Sequence, residues 1–230
     1  MAKRRTTKTK YEIIQLASKL FLEQSYTNTS TNFIAKELDI SPGNLTYHFP
    51  TKEHLLLGIV EKMCEFQWKM FQKEAGQGIE SISSICLEFM SVASACQESQ
   101  RAKDFFTAVY SSEMCREYLR NNHIARTKRI LSGQCSGWKE EQFIFAELMV
   151  IGIYFSTITA SDDILPLETR ISEALYFMLS IYNVDEETKT TEIKKILQMN
   201  YRQIGKKVYK EFIDYVEDIN DKILEEISDN

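Results

Sequence analysis

Between Ser41 and Lys52 the chain reads Ser-Pro-Gly-Asn-Leu-Thr-Tyr-His-Phe-Pro-Thr-Lys. The side chains here that can do chemistry are hydrogen-bonding ones, and none is acidic. An asparagine amide such as that of Asn44 can pair bidentately with an adenine edge, which is worth roughly 1–3 kcal/mol of discrimination. Gly43 leaves room for a close approach to bases, and Thr46 adds a hydroxyl beside it. Ser41, Tyr47, Lys52 and, a little upstream, Thr31 fall at helix starts or on the flank of this stretch, where they can meet phosphate oxygens. Phosphate contacts fix register and base-edge contacts carry sequence information. Asn32, Pro42 and His48 complete the candidate nucleic-acid-binding set. The expected ligand is double-stranded DNA.

Short helices must hold these groups. Ser41 followed by Pro42 is a helix start, because the hydroxyl caps free N–H groups and proline tolerates the first helical position. Pro50 closes the segment within about two turns. Leu45 and Phe49, four apart, anchor its inner face. Upstream, Ser30 or Thr31 opens a helix that carries Ile34, Ala35 and Leu38 inward, and Ile40 plugs the turn. Thr9 to Glu12 is a capping box, after which Ile13, Leu16, Ala17, Leu20 and Phe21 recur at helical spacing to about Gln24. Residues 1–8 are basic and unpatterned, and are expected to form a disordered arm. A short polar helix behind another short helix and a tight turn is how a helix-turn-helix presents its reader to the major groove.

The stretch from Thr29 through Ile34-Ala35, Ile40-Ser41, Gly43-Asn44-Leu45, Tyr47-His48-Phe49 and Lys52-Glu53 to Leu55-Leu56 resembles the TetR family of bacterial transcriptional regulators (the TetR/AcrR type). The order and spacing fit without gaps over residues 10 to 60. Asp39 stands at the turn where the family usually has Gly, and Asp enters the left-handed region more readily than most residues. Thr46 stands where a Tyr is common, and Pro50 where a polar residue is usual. The resemblance implies a homodimer bound to a palindromic operator. It further implies a repressor released by a small-molecule effector, working in the bacterial cytoplasm.

Charge agrees with this polarity. The 230 residues carry a net −5, yet residues 1–55 hold 8 Lys+Arg against 5 Asp+Glu, a net +3, and the other 20 and 28 give −8. A phosphate-facing module at the N-terminal end requires that asymmetry. Three Pro and 8 Gly in 230 residues favour long helices. Cys64, Cys86, Cys96, Cys115 and Cys135 form no CxxC pair and have no His at ligand spacing, so they read as reduced thiols. No metal and no cofactor is expected. His48 falls on the reader helix, His54 in the first turn of the next helix, and His123 has no acidic or nucleophilic partner in sequence; no serine has a Gly-x-Ser-x-Gly setting. The chain therefore reads as a non-enzyme. Phe143 to Ile158 is apolar but contains Glu147 and is shorter than the ~20 residues of a membrane span, so no membrane partner is expected.

The expected fold is all-α. A helix-turn-helix domain with its arm (residues 1–54) precedes a larger helical bundle (55–230) that binds effector and dimerises. A long helix from Thr51 to about Lys73 joins them and ends at Gly76-Gln77-Gly78. One helix is expected over Ile79–Gln97, and one over Ala102 to about Asn121. Phe89, Phe106, Tyr110, Met114, Tyr118 and Tyr154 are the candidate lining of an effector cavity suited to flat or apolar molecules. The run 143–158 is apolar all round, so it needs a second partner besides its own core. Phe145, Met149, Gly152 and Ser156 on it, with Ile171, Leu175 and Met178 on the helix 168–182, are the candidate dimer interface. Arg126, Lys128 and Arg129 form a basic cluster expected on a solvated face, with a site for acidic groups as the alternative.

From Ile193 to Ile227 apolar residues recur every three or four positions, describing one or two more helices in a C-terminal extension from about residue 185. Residues 211–230 hold eight acids and the single basic Lys222. The expected arrangement is a helix packed on the domain with an acidic outer face. The alternative is a helical adaptor whose acidic extension binds a protein, with DNA binding only localising it.

Overall fold

The computed structural model describes residues 2–74 and 81–229. Among the described residues there are eleven α-helices and no strand. The head consists of α1 (Ala2–Lys19) with a π-helical turn (Leu20–Ser25), α2 (Thr31–Glu37) and α3 (Pro42–His48). Then come α4 (Lys52–Glu74), α5 (Ile82–Glu98), α6 (Gln100–Ser111), α7 (Glu113–Ile130), α8 (Glu140–Thr159) and α9 (Leu167–Ile181). The last two are α10 (Glu186–Leu197) and α11 (Tyr201–Asp229).

Several sequence expectations are corrected. Helix α1 starts at Ala2 rather than at the Thr9 capping box. Lys and Arg are good helix formers, and no Pro or Gly interrupts the N-terminal segment. The expected 102–121 helix is two helices, because Ser112 leaves helical geometry and its side chain accepts the Cys115 N–H as an N-cap. The Gly76–Gly78 break lies outside the described residues. Helix α8 is 20 residues long, apolar enough by length and composition to cross a membrane, although 44% of that window is buried within the chain. The apolar run Phe143 to Ile158 is shorter than the helix, which adds a polar first turn, Glu140 to Gln142.

Helix α5 is the hub. Residues 84–86 and 88–96 are all buried, and α4, α6, α8, α9, α10 and α11 all pack against it. Its middle reads Ser-Val-Ala-Ser-Ala, small enough to let neighbours approach. At the closest of these approaches, a Cβ added to Gly205 of α11 would meet the Ala95 backbone nitrogen at 2.6 Å. Helix α11 lies along α5 and also packs on α1 and α4. Its Tyr209, Phe212 and Val216 are buried, so the acidic extension packs on the chain along one face.

Candidate nucleic-acid interface

The head presents α3 as the helical periodicity requires. Leu45 and Phe49 are buried, while Ser41, Pro42, Gly43, Asn44 and Thr46 are exposed and Tyr47 is 76% exposed. The Ser41 hydroxyl accepts the Asn44 N–H at 3.1 Å, and the Ser30 hydroxyl accepts the Phe33 N–H at 3.1 Å. Both serines thus cap helices that point at the same surface. Asp39 holds the turn between α2 and α3 at φ 52, the left-handed conformation its position demands. Asn32 is exposed and Thr31 half-buried at the start of α2.

Three candidates behave differently from expectation. The Thr46 hydroxyl donates back to the carbonyls of Pro42 and Gly43, so its proton is engaged within the helix. His48 is half-buried, its ring edge-on to Tyr47 at 5.2 Å. Burial and then Lys10 push its pKa down. Lys52 makes contacts within the head that its position alone does not announce. Its ammonium donates to the Tyr26 carbonyl and lies 4.0 Å from the centre of the Tyr26 ring. Burial lowers its pKa. The position opens α4, and the half-exposed side chain reaches back to Tyr26. Sequence reasoning also missed Phe33, 41% exposed on the outer face of α2, and the exposed Lys36. Phe33 falls off the stripe made by Ile34, Ala35 and Leu38, and that offset was the available signal.

The candidate effector residues divide. Phe89 and Tyr110 both pack on Tyr154, with ring centroids 4.8 and 5.3 Å apart, and all three are buried. They fill core rather than line open space. Phe106 borders a cavity of about 20 Å³ shared with Glu88, Tyr209 and Phe212, which is room for about one water. Met114 and Tyr118 are half-exposed on α7.

The group that sequence reasoning missed is polar. Glu88 from α5 pairs with Arg126 of α7, and His123 lies between two carboxylates, 3.7 Å from Glu88 and 3.3 Å from Glu147. The Tyr182 and Thr127 hydroxyls donate to Glu147. His123 therefore has acidic partners, and Arg126 is half-buried against Glu88 rather than on a solvated face; Lys128 nearby pairs with Glu140. These residues come from four helices, so no local spacing announces them. Burial pushes the Glu147 carboxyl up, but the bonds from His123, Tyr182 and Thr127 outweigh it and hold it below the usual range. All five cysteines are free and buried, and burial pushes the Cys64 thiol up to about 12, which makes it a poor nucleophile.

The candidate interface residues also divide. Phe145 (62%) and Met149 (43%) are exposed on α8 along with Gly152 and Ser156. Ile171, Leu175 and Met178 are fully buried in the chain's own core. The apolar stripe of α9 was assigned to a partner, but its own α5 and α8 cover it. The outward face of α9 carries Tyr176 and Phe177 instead.

Comparison with known proteins agrees with the geometry of the head. The family model described as "Bacterial regulatory proteins, tetR family" matches residues 13–59. The chain is 42% identical over 66 residues to the HTH-type transcriptional regulator QacR of Staphylococcus aureus (strain Mu50 / ATCC 700699), covering 27% of this chain and 35% of that protein. It is 48% identical over 48 residues to the uncharacterized HTH-type transcriptional regulator YuxN of Bacillus subtilis (strain 168), covering 21% of this chain and 16% of that one. These matches thus span about a third and a sixth of the relatives' lengths. Among solved structures, Salmonella enterica GusR aligns with a TM-score of 0.46 and 20% identity over 83% of this chain and 96% of that one. Mycobacterium smegmatis AmtR aligns at 0.39 and 17%, over 82% and 93%. Residues 13–59 of the chain thus match the helix-turn-helix segment of the bacterial regulatory proteins of the tetR family.

Proposed function

We propose that this protein is a DNA-binding transcriptional regulator, not an enzyme, that binds a palindromic operator as a homodimer and is released by a small-molecule effector. It thus acts as a repressor in the bacterial cytoplasm. The observation that carries the reading is α3: an eight-residue stretch, Ser41–His48, that exposes Gly43, Asn44, Thr46 and Tyr47 from a base fixed by Leu45 and Phe49. In this reading the head is the segment to about residue 54 and the remainder is the regulatory body. Helix α4 passes from one to the other and acts as the lever.

Dimerisation is supported by an outward apolar face. Ile144, Phe145, Leu148, Met149 and Phe155 of α8 and Tyr176 and Phe177 of α9 are all exposed. Monomeric proteins rarely leave such contiguous patches uncovered. A two-fold pairing of α8 and α9 with their copies covers it and sets two reader helices side by side. The effector is assigned to the body around Phe106, Tyr110 and Tyr154. In this conformation that region is closed, so entry of a ligand must separate helices that carry the Glu88 and Glu147 network. A coupling of roughly 1–3 kcal/mol between the two sites changes DNA affinity about 5- to 150-fold.

The test is selection of duplexes from a random library by the full chain. Enrichment of an inverted repeat with half-sites about one helical turn apart or slightly more supports the reading. A chain that enriches no sequence over repeated rounds overturns it. The adaptor alternative gains nothing from α11, whose apolar face is packed on α1, α4 and α5.

A further inference from the structure

The π-helical turn Leu20–Ser25 ends the first helix of the head, and two side chains from the far body hold it. A further π-type bond would join the Thr27 N–H to the Leu22 carbonyl, five residues back. Each of those groups is bonded elsewhere. The Thr27 N–H donates to the Asp104 carboxylate of α6 at 3.0 Å, and the Leu22 carbonyl accepts the Tyr209 hydroxyl of α11 at 2.9 Å. The Ser25 hydroxyl also donates to Asp104 at 2.9 Å, and the Thr27 hydroxyl bonds the same carboxylate. Leu22 and Tyr209 are both buried, so the Tyr209 bond has no water to replace it.

Both arms of this clasp are braced. Helix α11 is seated on α5 by Gly205, where an added Cβ would lie 2.6 Å from Ser94 Cβ and from the Ala95 nitrogen. Phe212, one turn beyond Tyr209 on the same face, packs on Phe66 of α4 and Phe105 of α6 at 5.7 and 6.1 Å. Tyr209 borders the cavity that Glu88 and Phe106 share. A change in the separation of α5, α6 and α11 is therefore felt at Leu22 and Thr27 as well as along α4.

We propose that Tyr209 and Asp104 are positioning residues for DNA recognition: gripping the π-turn from α11 and α6, they set the angle of the head on the body and so the spacing of the two reader helices. This rests on the DNA-binding reading above. Head orientation then has two controls, the lever α4 and the clasp. The clasp touches no DNA, so it governs the distance between half-sites and not the bases read within each.

Tyr209→Phe removes the hydroxyl and keeps the ring; Asp104→Asn keeps the shape and weakens the acceptor. Each variant is compared with the unaltered protein on the duplex that protein selects and on the same half-sites with the spacer lengthened or shortened by two base pairs. The preference for the selected spacer should fall about fivefold or more, the low end of ordinary inter-site coupling. Base preference within each half-site should stay the same. Amide hydrogen exchange at residues 20–28 should rise roughly tenfold relative to α8 and α9, as expected when a buried acceptor loses its partner. A variant that loses thermal stability but keeps both its spacer preference and its 20–28 protection assigns the bonds to packing alone and overturns the proposal. If the unaltered protein selects no duplex, the DNA-binding reading fails. The exchange measurement still decides the clasp: unchanged protection at 20–28 refutes it.

Discussion

At the scale of single residues, Asn44 and Lys52 now carry different expectations. Asn44 is exposed on α3 with only its backbone N–H engaged, by the Ser41 cap. Asn44→Ala should relax preference at one base pair in each half-site, by about tenfold if one bidentate pair is lost. A binding array on the variant reads this, and a uniform loss over all duplexes refutes it. Lys52 instead lies against the Tyr26 ring and carbonyl. Lys52→Ala should cost about 1–2 kcal/mol of stability through the lost cation–π contact and hydrogen bond. The salt dependence of DNA binding should hardly change. A salt slope lower by about one unit, without loss of stability, would return Lys52 to the phosphates.

At the scale of elements, α8 has two faces with different duties. Its inner stripe, Phe143, Ala146, Val150, Ile151 and Tyr154, packs into the chain's own core, and its outer stripe is left apolar. Gly152 sits on that outer stripe, and a Cβ added there meets nothing within 4 Å. Gly152→Arg should therefore leave the fold intact and place a charge where a second α8 would close on it. Sedimentation should show a folded monomer with an unchanged helical spectrum. An intact dimer assigns the pairing to another face.

At the scale of the whole molecule, the polar network of Glu88, His123, Arg126, Glu147 and Tyr182 ties α5, α7, α8 and α9 together. A carboxyl held below its ordinary 4.5 by folding contributes stability that is present above that pH and lost as pH falls through the lowered folded value. Glu147→Gln should cost about 1–3 kcal/mol at neutral pH, because the hydroxyls and imidazole aimed at it lose an ionised acceptor. Its stability should then decline less steeply than that of the unaltered protein below pH 4.5. Denaturant titrations at neutral and acid pH measure both. Parallel declines mean that another group dominates acid unfolding.

What the sequence determined by itself was local, although the start of α1 and the Ser112 break between α6 and α7 escaped it. Ser30 and Ser41 cap, Pro42 and Pro50 punctuate, Asp39 turns, and Leu45 and Phe49 face inward; each follows from bonds and periodicities that span a few residues. The helix-turn-helix, the exposed reader face and the all-helical class were legible for that reason. Where several helices meet, residue type alone misassigned the partners. The stripe of Ile171, Leu175 and Met178 shows that one face of α9 is buried, but not whether the chain itself or a second copy buries it. The contact of the Lys52 ammonium with the Tyr26 carbonyl, 26 positions away, is likewise invisible along the chain. His123 lacks a partner along the chain and has two across the helices. Burial by distant elements and pairing across the core arise only when the helices pack, and only the tertiary structure decided them.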